Sequence, residues 1–210
     1  MKKFILLTLL AVVASRNIIL VGDSRFVGMA WYVMGFSYSS TMTSTSSRSY
    51  NGDNFHVTAK EGASATAFRY GSSLYNSIVN QIRSFSSAKV LFWLGINDLS
   101  SIESSIELYS SLAKSFPSVN FYAISVLGVD ESKVPQIRNS NVHSFNTKIS
   151  NRISNLGLNN LKYRSIVNGN DVTNILVGGK KVYILGYSGD GLHFSTAGYK
   201  EIWNAMSQKI

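Results

Sequence analysis

Apolar, β-branched runs alternate along this chain with stretches whose apolar residues recur at helical spacing. Residues 17–21 (NIILV) read as a short buried strand closed by Gly22. Residues 26–33 then read as a helix. Residues 56–60 predict a second strand, followed by Gly62. Leu74, Ile78 and Ile82 fall on one face of a helix over 74–85. Residues 89–94 (KVLFWL) are a third buried strand, closed by Gly95. A helix over 102–116 stops near Pro117. Residues 120–127 and 161–167 predict two more strands, with a long helix over 137–153 between them. A last helix covers 195–207, with Ser195 or Thr196 at its N-cap.

Strands that alternate with helices imply a parallel sheet covered on both faces. Right-handed crossovers then bring the C-terminal ends of the strands to one edge, the edge where open α/β sheets bind ligands. Gly22-Asp23-Ser24 and Gly95-Ile96-Asn97 both follow strands at that edge. Two stretches stand outside the alternation. Residues 37–54 are rich in Ser and Thr and read as a long polar or disordered loop bordering the site. Residues 168–189 carry Gly178-Gly179 and Gly186 around 181–185 (KVYIL), a hairpin-like insertion.

The first residues follow another pattern. Lys2 and Lys3 precede an apolar run over 4–14 broken by Thr8. A basic start, a short apolar stretch and small residues after it describe a signal peptide, cleaved after Ala14. The run is shorter than the ~20 residues that span a bilayer. The expected division is therefore a leader at 1–14 and one domain at 15–210, exported from a bacterial cell. A buried N-terminal strand or helix is the alternative for the same run.

Composition narrows the chemistry. The 210 residues are 45% hydrophobic and 15% charged, a globular balance. There is no cysteine, which excludes disulfides, thiolate metal sites and cysteine nucleophiles. The formal charge is +9, and loss of Lys2 and Lys3 would leave +7. The positives are scattered or paired, as at Lys180-Lys181, with no dense run. This fits a solvated surface with weak attraction to anionic cell-surface polymers and does not suggest nucleic-acid binding.

Of the three histidines, His56 sits on a predicted strand and His143 on a helix, neither with an acid at useful spacing. His193 follows Asp190-Gly191-Leu192. An acid three residues before a histidine in a loop can curl its carboxylate onto one imidazole nitrogen, and the other nitrogen is then free to face a serine. Gly189 and Gly191 permit such a turn. Each block also has a plain structural reading. Asp23 and Ser24 can cap a helix, Asn97-Asp98 can cap the next one, and Asp190-Gly191 is a common turn dipeptide.

Gly22-Asp23-Ser24, Gly62, Gly95-Ile96-Asn97-Asp98 and Asp190-x-x-His193, in that order, resemble the four blocks of the SGNH hydrolases, also called GDSL esterases and lipases. They span residues 22 to 193. The resemblance implies a three-layer α/β/α domain, flavodoxin-like, with a five-stranded parallel sheet. It implies Ser24 as nucleophile, His193 as general base and then acid, and Asp190 as the residue that orients His193. It implies oxyanion donors at the Ser24 and Gly62 backbone N–H and the Asn97 side chain, and neither metal nor organic cofactor. Asp98 is structural in this reading. The chain departs from the family at Arg25, where Leu is common. Arg25 either reaches an anionic substrate group or sits solvated on the first helical turn. The G-x-S-x-G elbow of α/β-hydrolases is absent around Ser24.

The expected activity is hydrolysis of a carboxylic ester, first an O-acetyl ester of a carbohydrate or cell-wall glycan. A lipase or lysophospholipase is second, with Trp31, Tyr32, Phe36, Phe68 and Tyr70 as pocket or core residues. Acyl transfer to a glycan is a third reading. A non-catalytic carbohydrate-binding module would be expected to lack part of the set, and every member is present.

Overall fold

The computed structural model describes residues 15–210. The leader expected at 1–14 lies outside the described residues. The N-terminal half runs β1 (Asn17–Gly22), α1 (Ser24–Tyr32), β2 (Thr41–Tyr50), β3 (Asp53–Lys60), a 3-10 turn (Ala65–Phe68), α2 (Ser73–Ser84) and β4 (Lys89–Trp93). It continues through α3 (Ile102–Ser115), β5 (Asn120–Ile124), α4 (Asn139–Asn155) and β6 (Leu161–Arg164). A short antiparallel sheet follows, of β7 (Val167–Asn168), β8 (Asp171–Val177) and β9 (Lys180–Tyr183), then a second 3-10 turn (Ile184–Tyr187) and α5 (Thr196–Ser207).

The main sheet has the order β2-β3-β1-β4-β5-β6. Strands β3, β1, β4, β5 and β6 are parallel, the five read from the sequence. Ile18, Ile19, Leu20 and Val21 of β1 are fully buried, and each contributes about 1.5–3 kcal/mol by leaving water. Helix α1 packs with α5 and α3 packs with α4, giving the α/β/α layering. The predicted apolar face of α2 holds: Leu74, Ile78 and Ile82 are buried, and the Ser72 side chain caps the helix by accepting from the Tyr75 N–H at 3.1 Å.

Residues 37–54 depart from expectation. Most of this stretch is β2, an edge strand antiparallel to β3, with an irregularity between Ser44 and Arg48. Only Met42 is buried among its first three residues, so the alternation that marks a strand lacks an apolar partner set. The hairpin signal lies in the connection instead. Asn51 and Gly52 both take positive φ (50° and 81°), which is how an Asn-Gly turn joins two twisted strands. Residues 168–189 do form a hairpin, β8 to β9 through Gly178-Gly179, extended by β7.

Strand β1 lies between β3 and β4, and the chain visits β3 before crossing to β4. The sheet order therefore reverses beside β1, and the crevice at such a switch point opens at the strand C-termini. Gly22 pairs with Ala59 of β3 and Trp93 of β4, so the segments after all three strands emerge side by side.

Candidate active site

Ser24 opens α1 directly after β1. Asp23 is the N-cap: its Oδ1 accepts from the Arg25 N–H at 3.0 Å, and its carbonyl accepts from the N–H of Phe26 and Val27, both at 3.1 Å. The capping and catalytic readings of Asp23-Ser24 are thus compatible. The first N–H of a helix has no intrahelical acceptor, and here that group belongs to Ser24. It carries the partial positive charge of the helix N-terminus.

His193 arrives from the other end of the chain. Its loop, between the second 3-10 turn and α5, is closed at its base by a bridge between Ser188 and Phe194 and by the Ser195 N–H donating to the Tyr187 carbonyl at 2.9 Å. Asp190 Oδ1 accepts from the backbone N–H of Leu192 and His193 at 2.8 and 2.7 Å. Its Oδ2 lies 2.7 Å from His193 Nδ1. This is the curl expected from the spacing. Gly191 makes it possible, with φ of 83° and a position where a Cβ would stand 2.8 Å from Lys133 Cβ. His193 Nε2 lies 2.8 Å from Ser24 Oγ. A carboxylate only accepts, so Nδ1 carries the proton and Nε2 accepts from the serine hydroxyl.

The charges suit that arrangement. Partial burial works against ionisation of Asp190, but the hydrogen bonds from His193 and Leu192 outweigh it and hold the carboxyl at about 2. Burial pushes Asp23 the other way, up to about 6, against the Arg25 charge, the Arg25 N–H and His193. Two carboxyls on either side of one serine thus sit far apart in acidity.

The two other predicted donors lie on the loops that follow β3 and β4, the neighbours of β1. Gly62 lies exposed in the turn after β3, with φ of 67°. The next N–H, on Ala63, is spent on the Lys60 carbonyl at 3.2 Å. Asn97 follows β4, and its Nδ2 donates to the Ala63 carbonyl at 3.1 Å, tying the two loops together across β1. An amide nitrogen has two protons, so one remains for a ligand. Asp98 is structural: its Oδ1 accepts from the Ser101 N–H and Ser100 hydroxyl at 3.1 and 2.8 Å.

Arg25 is neither solvated nor aimed at the crevice. It is 1% exposed. Its Nη1 donates to the Leu127 carbonyl at 2.7 Å, Nη2 to the Gly128 carbonyl at 3.1 Å and Nε to the Leu192 carbonyl at 3.2 Å. The rings of Trp93 and Phe194 stand 5.9 and 5.3 Å from its guanidinium carbon. Residue type predicts exposure for arginine, and the three carbonyls come from segments far along the chain, so local sequence carries little sign of this burial.

His56 is buried on β3 and stacks on Phe85 at 3.8 Å between ring centroids. His143 lies on α4 and is not a partner in the hydrogen bonds of the relay. Of the aromatic candidates, Phe36 and Phe68 are core, whereas Trp31, Tyr32 and Tyr70 are exposed. A cleft of about 320 Å³ lies between the first 3-10 turn and α3, lined among others by Arg69, Tyr70, Tyr75, Ser104 and Glu107. Among the described residues no group of three or more His, Cys, Asp or Glu could hold a metal ion. No described helix is long and apolar enough to cross a membrane.

No protein-family model matches the chain, and no curated protein sequence matches it. Solved structures do. A family 3 carbohydrate esterase from Clostridium thermocellum is 18% identical, with a TM-score of 0.55 over 93% of this chain and 94% of that one. A phospholipase A1 from Streptomyces albidoflavus is 17% identical, with a TM-score of 0.55 over 94% of this chain and 100% of the other. A GDSL-like lipase from Bacteroides thetaiotaomicron is 14% identical, with a TM-score of 0.55 over 92% and 86%. At these identities the likeness is one of fold: the chain has the α/β/α fold of the SGNH, or GDSL-type, hydrolases.

Proposed function

We propose that this chain, built on the SGNH hydrolase fold, is an exported serine esterase that removes O-acyl groups, first O-acetyl, from a carbohydrate or cell-wall glycan. The observation that carries the chemistry is the relay from Ser24 Oγ through His193 to Asp190, with links of 2.8 and 2.7 Å. A serine hydroxyl becomes nucleophilic when an aligned base takes its proton. In this reading Ser24 Oγ attacks the ester carbonyl while His193 Nε2 accepts the proton. The charged Asp190 stabilises the imidazolium. The Ser24 N–H, the Gly62 N–H and the second proton of Asn97 Nδ2 receive the oxyanion. His193 then returns the proton to the leaving alcohol, and an acyl-Ser24 ester remains. Water, deprotonated by His193, attacks that ester and releases the carboxylic acid and the free serine.

The substrate class draws on the cleft beside the candidate oxyanion loops. It begins two residues after Ala63, and its other wall, α3, begins five residues after Asn97. Its Tyr70 and Tyr75 rings beside Arg69, Ser104 and Glu107 suit the faces and hydroxyls of a sugar, and Phe68 and Leu108 add an apolar floor for a short acyl group. The basic surface and the leader-like start agree with work at an anionic cell surface. A lipase or lysophospholipase is the second reading. It draws on the exposed aromatic cluster in which Trp31 lies 4.2 Å from Tyr32 and 4.9 Å from Tyr38 between ring centroids.

A fluorophosphonate probe tests the chemistry. Wild-type protein should label at Ser24 and hydrolyse p-nitrophenyl acetate. Ser24→Ala should lose the label and turnover by a factor on the order of 10⁶. A folded wild-type protein that takes no label would favour a binding module instead. Hydrolysis of p-nitrophenyl octanoate well above that of the acetate would favour the lipase reading.

A further inference from the structure

We infer that Arg25 is a positioning residue for His193, a clamp that fixes the loop bearing the base against the helix bearing the nucleophile. This rests on the proposed roles of Ser24 and His193. The helix that Ser24 opens also carries Arg25, so the guanidinium moves with the nucleophile. Its three nitrogens all donate to backbone carbonyls. Two of these, Leu127 and Gly128, belong to the segment that follows β5, and the third, Leu192, immediately precedes His193 in the chain. One side chain therefore holds three segments in register: the nucleophile's helix, the segment after β5 and the acid–base loop.

The geometry calls for a guanidinium. A planar fork with fixed donor directions can reach three separate carbonyls, whereas an ammonium is a point donor on a flexible stem. The Trp93 and Phe194 rings keep the fork in place, and Phe194 is itself the residue after His193. Burial disfavours the charged guanidinium, and neighbouring Asp23 opposes that effect. The segment that Arg25 holds also grips the loop in return: the Asp130 N–H donates to the Gly191 carbonyl at 2.9 Å. Misplacement of a base by about 1 Å can slow a reaction by about 10². The clamp thus acts on the proton-transfer step, through His193, and makes no contact with substrate.

The test compares wild type with Arg25→Lys and Arg25→Met. Lys keeps the charge and loses the fork. Met loses both. Folding is checked by near-ultraviolet circular dichroism. With p-nitrophenyl acetate, kcat should fall by about 10² in Arg25→Met and by less in Arg25→Lys, with KM within about twofold. Fluorophosphonate labelling should slow in the same proportion. Folded variants with wild-type kcat would overturn the clamp, and so would a raised KM with kcat unchanged, which would assign Arg25 to substrate binding. Should either variant fail to fold, hydrogen exchange on wild-type protein decides. The Arg25 Nε–H and the His193 amide should open at one common rate; an Nε–H that exchanges far faster would overturn the inference. Failure of wild type to label would count against the esterase reading alone, since the exchange measurement tests the clamp without it.

Discussion

The loop that carries Asp190 and His193 is gripped through its carbonyls at Gly189, Gly191 and Leu192, by Lys133, Asp130 and Arg25 in turn. The loops that carry Gly62 and Asn97 meet through a side-chain hydrogen bond from Asn97 to the Ala63 carbonyl. One half of the candidate site is thus tied to neighbouring segments along its length, and the two loops of the other half are joined to each other at a point. Proton transfer from serine to histidine needs short, directed contacts before substrate arrives. Oxyanion donors are called on only when charge develops, so a donor that already has one partner can share itself with a second. The difference in fastening matches this difference in timing.

Substitutions should separate the halves. Asp190→Asn removes the acceptor that fixes the tautomer of His193, and kcat for p-nitrophenyl acetate should drop by about 10⁴. A loss below tenfold would mean that the relay is not the working base. Asn97→Ala removes one side-chain donor, and kcat should fall by about 10²–10³ with little change in KM. If Asn97→Ala instead lowered melting temperature and left kcat intact, Asn97 would be a loop tie alone.

Acidity gives a smaller and different readout. Burial raises Asp23 from 3.8 to about 6. Between those values the folded protein holds a proton that the unfolded chain has released, so stability declines as pH rises through that window. Asp23→Asn cannot titrate, and Asn also caps helices. Its stability relative to wild type should therefore climb by about 2 kcal/mol between pH 4 and 6, as read from urea unfolding. A gap that stays flat would place Asp23 in a wetter setting. The smallest effect should come from Lys133→Ala. The exposed Lys133 donates to the Gly189 carbonyl at 3.1 Å, and its loss should change kcat by about threefold or less. A loss as large as that expected at Arg25 would show that the rim of the loop matters as much as its buried attachment.

Much of this was legible from sequence because it is local. Hydrophobic period located the five parallel strands and the helices between them. The Asp190-to-His193 turn was readable because its geometry is contained in four residues. Ser24 was readable because its tripeptide stands in order with the Gly95-to-Asn97 and Asp190-x-x-His193 blocks, as in the SGNH hydrolases it resembles, and alternation of strands and helices puts the first two blocks at one sheet edge. The edge strand β2 was missed because Thr and Ser fill the positions where apolar residues would reveal a period of two. Its Asn51-Gly52 turn was the available signal. Arg25 was missed for a deeper reason. Nothing near it in sequence says that Leu127, Gly128 and Leu192 will present their carbonyls to it, since that arrangement exists only in the folded chain.

The relay joins residues 169 positions apart, and Arg25 reaches 167 positions to the same loop. Contacts of such sequence separation are expensive to close, and their loop entropy must be repaid by the sheet that lies between. A chain with β1 and α1 formed but α5 undocked would possess a serine and no base. On the proposed reading, regain of p-nitrophenyl acetate hydrolysis after dilution from denaturant would thus time the end of folding, and a chain shortened before His193 would fall silent rather than lose specificity.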